Sequence, residues 1–221
     1  MCYTSHMLSP SDRYVVLGKT GTGKTFASLY LARYIGDAQT SPRWRFVFID
    51  TKGVTEDRRR AQKLGFKSVK LKDLAKSSEK YIIVSLSSDE KSSIKDKAAR
   101  VFRWAYRRQY VMVIVDEYTQ VVESKMNAGE DLLNIFTRGR GRHVGIIGDT
   151  QEPVGIPRQL FSQASHVFIF RLWAANDIKA VKEVFSQYEP PRQSHGFYYR
   201  WVDGDDLHWT YYEKLQDFLT V

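Results

Sequence analysis

The sequence predicts an α/β fold with a mainly parallel sheet and helices on both of its faces, and three observations lead there. Short apolar runs alternate along the chain with longer amphipathic stretches. A glycine-rich octapeptide, Gly18–Thr25, separates the first such run from the first helical pattern. A later run, Val111–Val115, is apolar throughout and ends in Asp116-Glu117, as expected of a strand buried on both faces.

The elements follow in chain order. Tyr14–Leu17 combines aromatic and β-branched residues and reads as a strand, with a helix over Lys24–Ile35 after the last glycine of the octapeptide. Arg45–Ile49 and Tyr81–Ser85 are strands of the same kind. Asp89–Gln109 is expected to be a helix, because Ile94, Ala98, Val101, Phe102 and Ala105 form one stripe that can pack on the sheet. Arg100, Arg103 and Arg107 fall on its opposite side, as a solvated face or a DNA-binding stripe. After the strand Val111–Val115 come a helix over Asn127–Thr137, strands over Val144–Ile147 and His166–Phe170, and a helix over Ala175–Phe185. Phe197–Val202 and Leu207–Tyr212 flank Asp203-Gly204-Asp205-Asp206 and read as a terminal β-hairpin. The expected organisation is a tail over residues 1–12 and a single domain over 13–221, with 190–221 as the hairpin extension.

Bulk properties bound the partners. The 221 residues suit one domain, and 43% hydrophobic with 27% charged residues is ordinary for a globular protein. Lysine and arginine total 34 against 25 acids, a net charge of +9, which fits a polyanionic partner or a basic surface kept for solubility. Cys2 is the single cysteine, so no internal disulfide is expected and a reducing setting fits. No apolar run reaches membrane-spanning length, and Met1–Pro10 lacks the basic-then-apolar order of a signal peptide.

Gly18-Lys19-Thr20-Gly21-Thr22-Gly23-Lys24-Thr25 fits the Walker A pattern in full, between a strand and a helix as the motif requires. Its glycines let successive backbone N–H groups face a phosphate, and the helix start adds partial positive charge. Lys24 is expected to reach the β- and γ-phosphates of ATP, and the Thr25 hydroxyl to ligate Mg²⁺. Asp116 would hold Mg²⁺ through its water shell, and Glu117 would orient and deprotonate the attacking water. A glutamate directly after the aspartate favours a RecA-like, additional-strand P-loop NTPase that hydrolyses ATP over a small-molecule kinase.

Asp116-Glu117, a helix, Arg138-Gly139-Arg140-Gly141-Arg142-His143-Val144-Gly145-Ile146-Ile147 and Thr150-Gln151 together resemble the HerA–FtsK superfamily of DNA-pumping ATPases. The resemblance runs from about Tyr14 to Phe185. In its compact length the chain resembles the genome-packaging ATPases of tailless, membrane-containing double-stranded DNA viruses. That resemblance implies a γ-phosphate sensor at Gln151, preceded by Thr150, and an arginine finger at Arg142 reaching a neighbouring subunit. Arg138 and Arg140 remain alternatives for the finger, and the cluster also suits a basic surface loop or a DNA contact. Gln151 could instead be a turn-side hydrogen bonder.

The resemblance also implies double-stranded DNA as cargo and a homo-oligomeric ring, a hexamer favoured. A capsid vertex or membrane protein would be the docking partner, in the infected cell's cytoplasm or the virion. Asp149 and Glu152 depart from the pattern of many relatives and add an acid on each side of the sensor. Lys125-Met126-Asn127-Ala128-Gly129 and Asp57-Arg58-Arg59-Arg60 are candidate DNA contacts. Two rivals stand beside this reading: a cellular HerA-like or conjugation-type translocase, and a nucleotide switch or small-molecule kinase that never touches DNA.

Overall fold

The computed structural model describes residues 8–86, 92–193, 195–203 and 206–220. Over these residues nine strands form one sheet in the order β3-β4-β2-β5-β6-β1-β7-β8-β9. The strands are β1 (Arg13–Leu17), β2 (Arg45–Asp50), β3 (Lys67–Ser68), β4 (Tyr81–Ser85), β5 (Val111–Val115), β6 (Val144–Thr150), β7 (His166–Phe170), β8 (Phe197–Asp203) and β9 (Asp206–Tyr212). The helices are α1 (Lys24–Asp37), α2 (Thr55–Lys63), α3 (Ile94–Arg108), α4 (Glu130–Arg138), α5 (Arg158–Ser162), α6 (Ala175–Val184) and α7 (Leu215–Thr220).

The strands from β3 to β7 pair in parallel, and β8 and β9 extend the same sheet antiparallel. The expected hairpin is therefore part of the main sheet. Gly204 and Asp205 of its turn lie outside the described residues. β6 separates β1 from β5, which is the additional-strand arrangement.

Alternation along each strand sends side chains to two cores. On one face Val15, Leu17, Val47, Val113 and Val115 meet α3 and α4 through Ala98, Val101, Phe102, Ala105, Leu132 and Phe136. On the other, Tyr14, Val16, Phe46, Phe48 and Ile114 meet Ala27, Leu31, Ala32 and Ile35 of α1 and Phe218 of α7. The expected stripe of α3 is the buried one, with Ile94 partly buried at its edge. Opposite it, Arg103 pairs with Asp131 of α4 at 2.7 Å.

Several boundaries differ from the sequence expectation for local reasons. α3 starts at Ile94, because Ser93 and Asp96 form a reciprocal capping box; residues 89–91 lie outside the described residues. α4 starts at Glu130 rather than Asn127, since the Asn127 side chain instead accepts from the Gly129 N–H (2.9 Å) in a turn. β6 runs three residues past Ile147 to Thr150, because β1 pairs with it as far as Leu17↔Thr150. α2, β3, α5 and α7 are absent from the sequence reading; all are short, and α2 buries only Ala61.

Residues 1–7 of the expected tail lie outside the described residues, whereas its last part is built into the fold. Ser11 and Asp12 are buried, and Asp12 pairs with Arg140 at 2.6 Å and with His166 at 3.2 Å. No described helix is long and apolar enough to cross a membrane.

Candidate active site

All seven parallel strands point their C-terminal ends toward one edge of the sheet, where an α/β fold gathers loops into a ligand crevice. The loop between β1 and α1 forms one wall. Gly21 and Gly23 adopt φ of 82° and 96°, conformations that a side chain would strain, and Gly23 is the N-cap of α1. The Lys24 ammonium donates to the Lys19 carbonyl at 3.0 Å, and burial lowers its pKa against the pull of Asp149 and Glu117. A cleft of about 800 Å³ opens from this loop, bounded by Phe26, Lys52, Asp57, Arg60, Gln151, His195 and Leu215.

β5 delivers Asp116 and Glu117 to the same edge. Asp116 is fully buried; its Oδ1 lies 3.4 Å from the Thr25 hydroxyl, and its Oδ2 has no hydrogen-bond partner. Burial raises its pKa, opposed mainly by Lys52. An orphaned carboxylate oxygen beside a threonine hydroxyl suits a hard divalent cation. Among the described residues no cluster of three protein ligands occurs, so such an ion would depend on phosphate and water oxygens as well. The donor set thus fits Mg²⁺ held by Thr25 and Asp116.

Glu117 has φ 74° and ψ 93°, a strained backbone for a residue with a side chain. Its neighbours hold it there. The Glu117 N–H donates to Asp149 Oδ1 at 3.2 Å. Its Oε1 accepts from the hydroxyls of Thr150 (2.7 Å) and Thr119 (2.9 Å), and its Oε2 accepts from the Gln151 N–H (3.3 Å). The Gln151 side-chain oxygen accepts in turn from the Thr20 hydroxyl of the phosphate loop. Gln151 therefore touches both the loop and the glutamate. Thr150, expected only to precede the sensor, donates one of the hydrogen bonds that fix the glutamate.

Asp149 departs from ordinary carboxylate behaviour. Burial, then the charges of Asp116 and Glu117, push its pKa up to about 8 against the opposing pull of Lys24 and Lys52. Its Oδ2 also lacks a partner.

Two residues of the site went unnoticed in the sequence. The Lys52 ammonium lies 3.1 Å from Asp116 and 3.8 Å from Glu117. Burial alone would lower its pKa, yet Asp116, Asp149 and Glu117 raise it overall. The buried Asp50 accepts from the Gly53 N–H (2.7 Å) and from Arg58 (2.6 and 3.1 Å), fixing the turn that carries Lys52. The one available signal was a strand ending in Asp-Thr-Lys-Gly at the level of the Walker strand.

The arginine cluster sits elsewhere. It precedes β6, so roughly 20 Å of strand separates it from Gln151. Arg142 donates to the Tyr106 carbonyl at 3.0 Å and stacks over the Tyr106 ring. Arg140 is paired with Asp12, while Arg138 is exposed and has no hydrogen-bond or ion partner among the described residues. None of the three approaches its own chain's phosphate loop. Of the candidate DNA contacts, Asp57–Arg60 lies on α2 at the cleft, with Arg58 committed to Asp50 and Arg60 to Glu56 and Asp57. In the other, Met126 is 92% exposed.

By sequence alone no curated protein matches the chain. The fold matches the genome-packaging NTPase B204 of Sulfolobus turreted icosahedral virus 2 in complex with ATPγS, with a TM-score of 0.69 at 15% identity over 91% of this chain and 98% of that one. The B204 packaging ATPase of Sulfolobus turreted icosahedral virus gives 0.62 at 17% identity, over 91% and 98%. The pCW3 conjugation coupling protein TcpA, also with ATPγS, gives 0.58 at 15% identity, over 94% of this chain and 62% of that one. These likenesses establish the fold, a RecA-like α/β P-loop NTPase. A family model described as AAA domain matches residues 3–142, which is more than half of the sequence and includes the phosphate loop, Asp116 and Glu117. The chain accordingly belongs to the AAA domain family of P-loop proteins.

Proposed function

We propose that the protein is an ATP-hydrolysing motor of the HerA–FtsK type that translocates double-stranded DNA, and that its task is to package a viral genome into a preformed capsid. The observation that carries the ATPase reading is the network at the end of β6. Thr150 and the Gln151 N–H hold the Glu117 carboxylate, while the Gln151 side chain touches Thr20. Hydrolysis needs a carboxylate fixed beside the terminal phosphate and a group that couples it to the phosphate loop.

In this reading the loop amides and Lys24 bind the phosphates, Glu117 takes the proton from the attacking water, and Gln151 reports the γ-phosphate to β6. Thr25 and Asp116 would hold Mg²⁺, which would supply positive charge beside the phosphates. The arginines supply the argument for a ring. They stand at the far end of β6 from their own site, so an arginine finger here acts only on a neighbour, as in a homo-oligomeric ring with a hexamer favoured. Arg142 would have to leave Tyr106 for that role, whereas the Arg138 side chain has no bond to break among the described residues.

The DNA cargo and the capsid role rest on the resemblance and on the shared fold with B204, which spans nearly the whole of both chains. A capsid vertex or membrane protein would be the docking partner, in the infected cell's cytoplasm or the virion. The net +9 agrees with a polyanionic cargo. A conjugation-type translocase is the second reading, favoured by the shared fold with TcpA, of which this chain covers 62%.

The test is ATP turnover with and without duplex DNA over a salt series, beside particle imaging with a non-hydrolysable nucleotide. DNA-stimulated turnover, with binding that weakens steeply as salt rises, and rings in the images are expected. Turnover indifferent to DNA in an assembled ring would move the protein to the class of nucleotide switches.

A further inference from the structure

The turn between β2 and α2 carries a cation that the phosphate-loop chemistry does not use. It is fixed on both sides. The Asp50 carboxylate binds the Gly53 N–H and the Arg58 guanidinium, and the Thr51 hydroxyl donates to the Asp116 carbonyl. Gly53 has φ 69°, which lets the chain reverse there. The turn therefore has little freedom, and Lys52 projects from it toward the end of β5.

Its ammonium lies 3.1 Å from Asp116 Oδ1, the same oxygen that lies 3.4 Å from the Thr25 hydroxyl. It is also 3.8 Å from Glu117 Oε2. The side chain is 27% exposed, and it lines the nucleotide cleft. Lys52 thus bridges the two carboxylates assigned to metal binding and water activation, from a position open to the ligand.

The local charges explain why it stays. Asp116, Glu117 and Asp149 crowd one end of the sheet, and all three are buried. The cations facing them are Lys24 and Lys52, and Lys24 is turned onto the Lys19 carbonyl. Lys52 is therefore the direct counter-ion of the carboxylates. A divalent cation taken up by Thr25 and Asp116 would share Asp116 with an ammonium, and like charges on one oxygen repel. The ammonium then needs another anion within reach, and the terminal phosphate of ATP is the strongest one the cleft receives.

We propose that Lys52 is a relay cation: it neutralises Asp116 and Glu117 while the site is empty and transfers to the γ-phosphate when Mg²⁺ and ATP enter. It then distinguishes ATP from ADP, because the diphosphate has no γ-phosphate to offer it an oxygen. This rests on the reading of the cleft as the ATP site.

Two binding measurements test it without turnover, on the full chain. Lys52→Met keeps the aliphatic stem and removes the charge, and Lys52→Arg keeps the charge. First, Mn²⁺ alone is titrated into nucleotide-free protein. Lys52→Met should bind it about tenfold more tightly than wild type, and Lys52→Arg should not, since only the former lifts the repulsion. Second, the ratio of ADP to ATP dissociation constants is measured with Mg²⁺ present. Lys52→Met should lose most of the wild-type preference for ATP while holding ADP as wild type does, and Lys52→Arg should recover it. Unchanged Mn²⁺ affinity together with an unchanged ratio, in a variant that melts like wild type, would make Lys52 a structural ion pair and overturn the proposal. A Lys52→Met variant that folds only with its positive charge restored would overturn it in the same way. Wild-type protein that binds neither nucleotide would instead refute the ATP-site reading beneath it.

Discussion

Thr150 offers the sharpest test of how the glutamate is positioned. Thr150→Val is nearly isosteric at a fully buried position, so the packing of β6 is kept and the hydroxyl alone is lost. That hydroxyl donates to Glu117 Oε1 at 2.7 Å and accepts from the Glu152 N–H at 3.2 Å. A hydrogen bond to a charged group contributes about 1.5–3 kcal/mol. Thr119, the Gln151 N–H and Lys52 still hold the carboxylate, so the lower half of that range applies. At about 1.4 kcal/mol per factor of ten, kcat should fall roughly 10- to 40-fold. ATP binding should hardly change, because Thr150 touches no residue of the phosphate loop through its side chain. Steady-state turnover gives kcat, and titration with a fluorescent ATP analogue gives the affinity. Thr150→Ser restores the hydroxyl and should restore most of the rate. Turnover of folded Thr150→Val within twofold of wild type, or a serine variant as slow as the valine one, would refute the positioning argument.

Glu117→Gln should keep ATP bound and stop its hydrolysis, because the amide still hydrogen-bonds water yet is a far poorer base; rapid filtration should recover ATP rather than ADP on the protein. Asp149→Asn can still accept from the Glu117 N–H while removing the ionisation. Wild-type Asp149 holds its proton up to about pH 8 when folded and loses it near pH 3.8 when unfolded, so wild-type stability falls with pH across that window. The melting temperature of Asp149→Asn minus that of wild type should therefore rise from about pH 4 to pH 8 and level off above; a flat difference would remove the buried-acid account. Arg138→Ala and Arg142→Ala should each bind ATP normally, and the variant that removes the true finger should lose on the order of a thousandfold in turnover. Mixed with Lys24→Ala under subunit exchange, that variant should regain activity; no recovery in verified mixed assemblies would point to a DNA contact instead.

The site was readable in the sequence wherever chemistry forces residues to be contiguous. A phosphate loop needs its glycines, lysine and threonine in unbroken order between a strand and a helix, so Gly18–Thr25 could be recognised from spacing alone. Asp116 and Glu117 were equally plain, because a central strand buried on both faces has to be apolar up to the point where it delivers its carboxylates. The sheet's alternation and the buried stripe of α3 followed from period and polarity.

What the sequence could not decide was which residues distant along the chain would meet. Pairing of β6 with β5 brings Thr150 beside Glu117, and its pairing with β1 brings Gln151 beside Thr20, across separations of 33 and 131 residues. Lys52 belongs to the site only because β2 lies next to β5, and nothing in Asp-Thr-Lys-Gly announces that neighbour. The same limit governs the arginines. Their spacing marks a cluster, but the fold ties Arg140 to Asp12 and Arg142 to Tyr106 and leaves Arg138 exposed. Local order fixes what each segment can do chemically; strand order across the sheet decides which of those groups meet in one cleft.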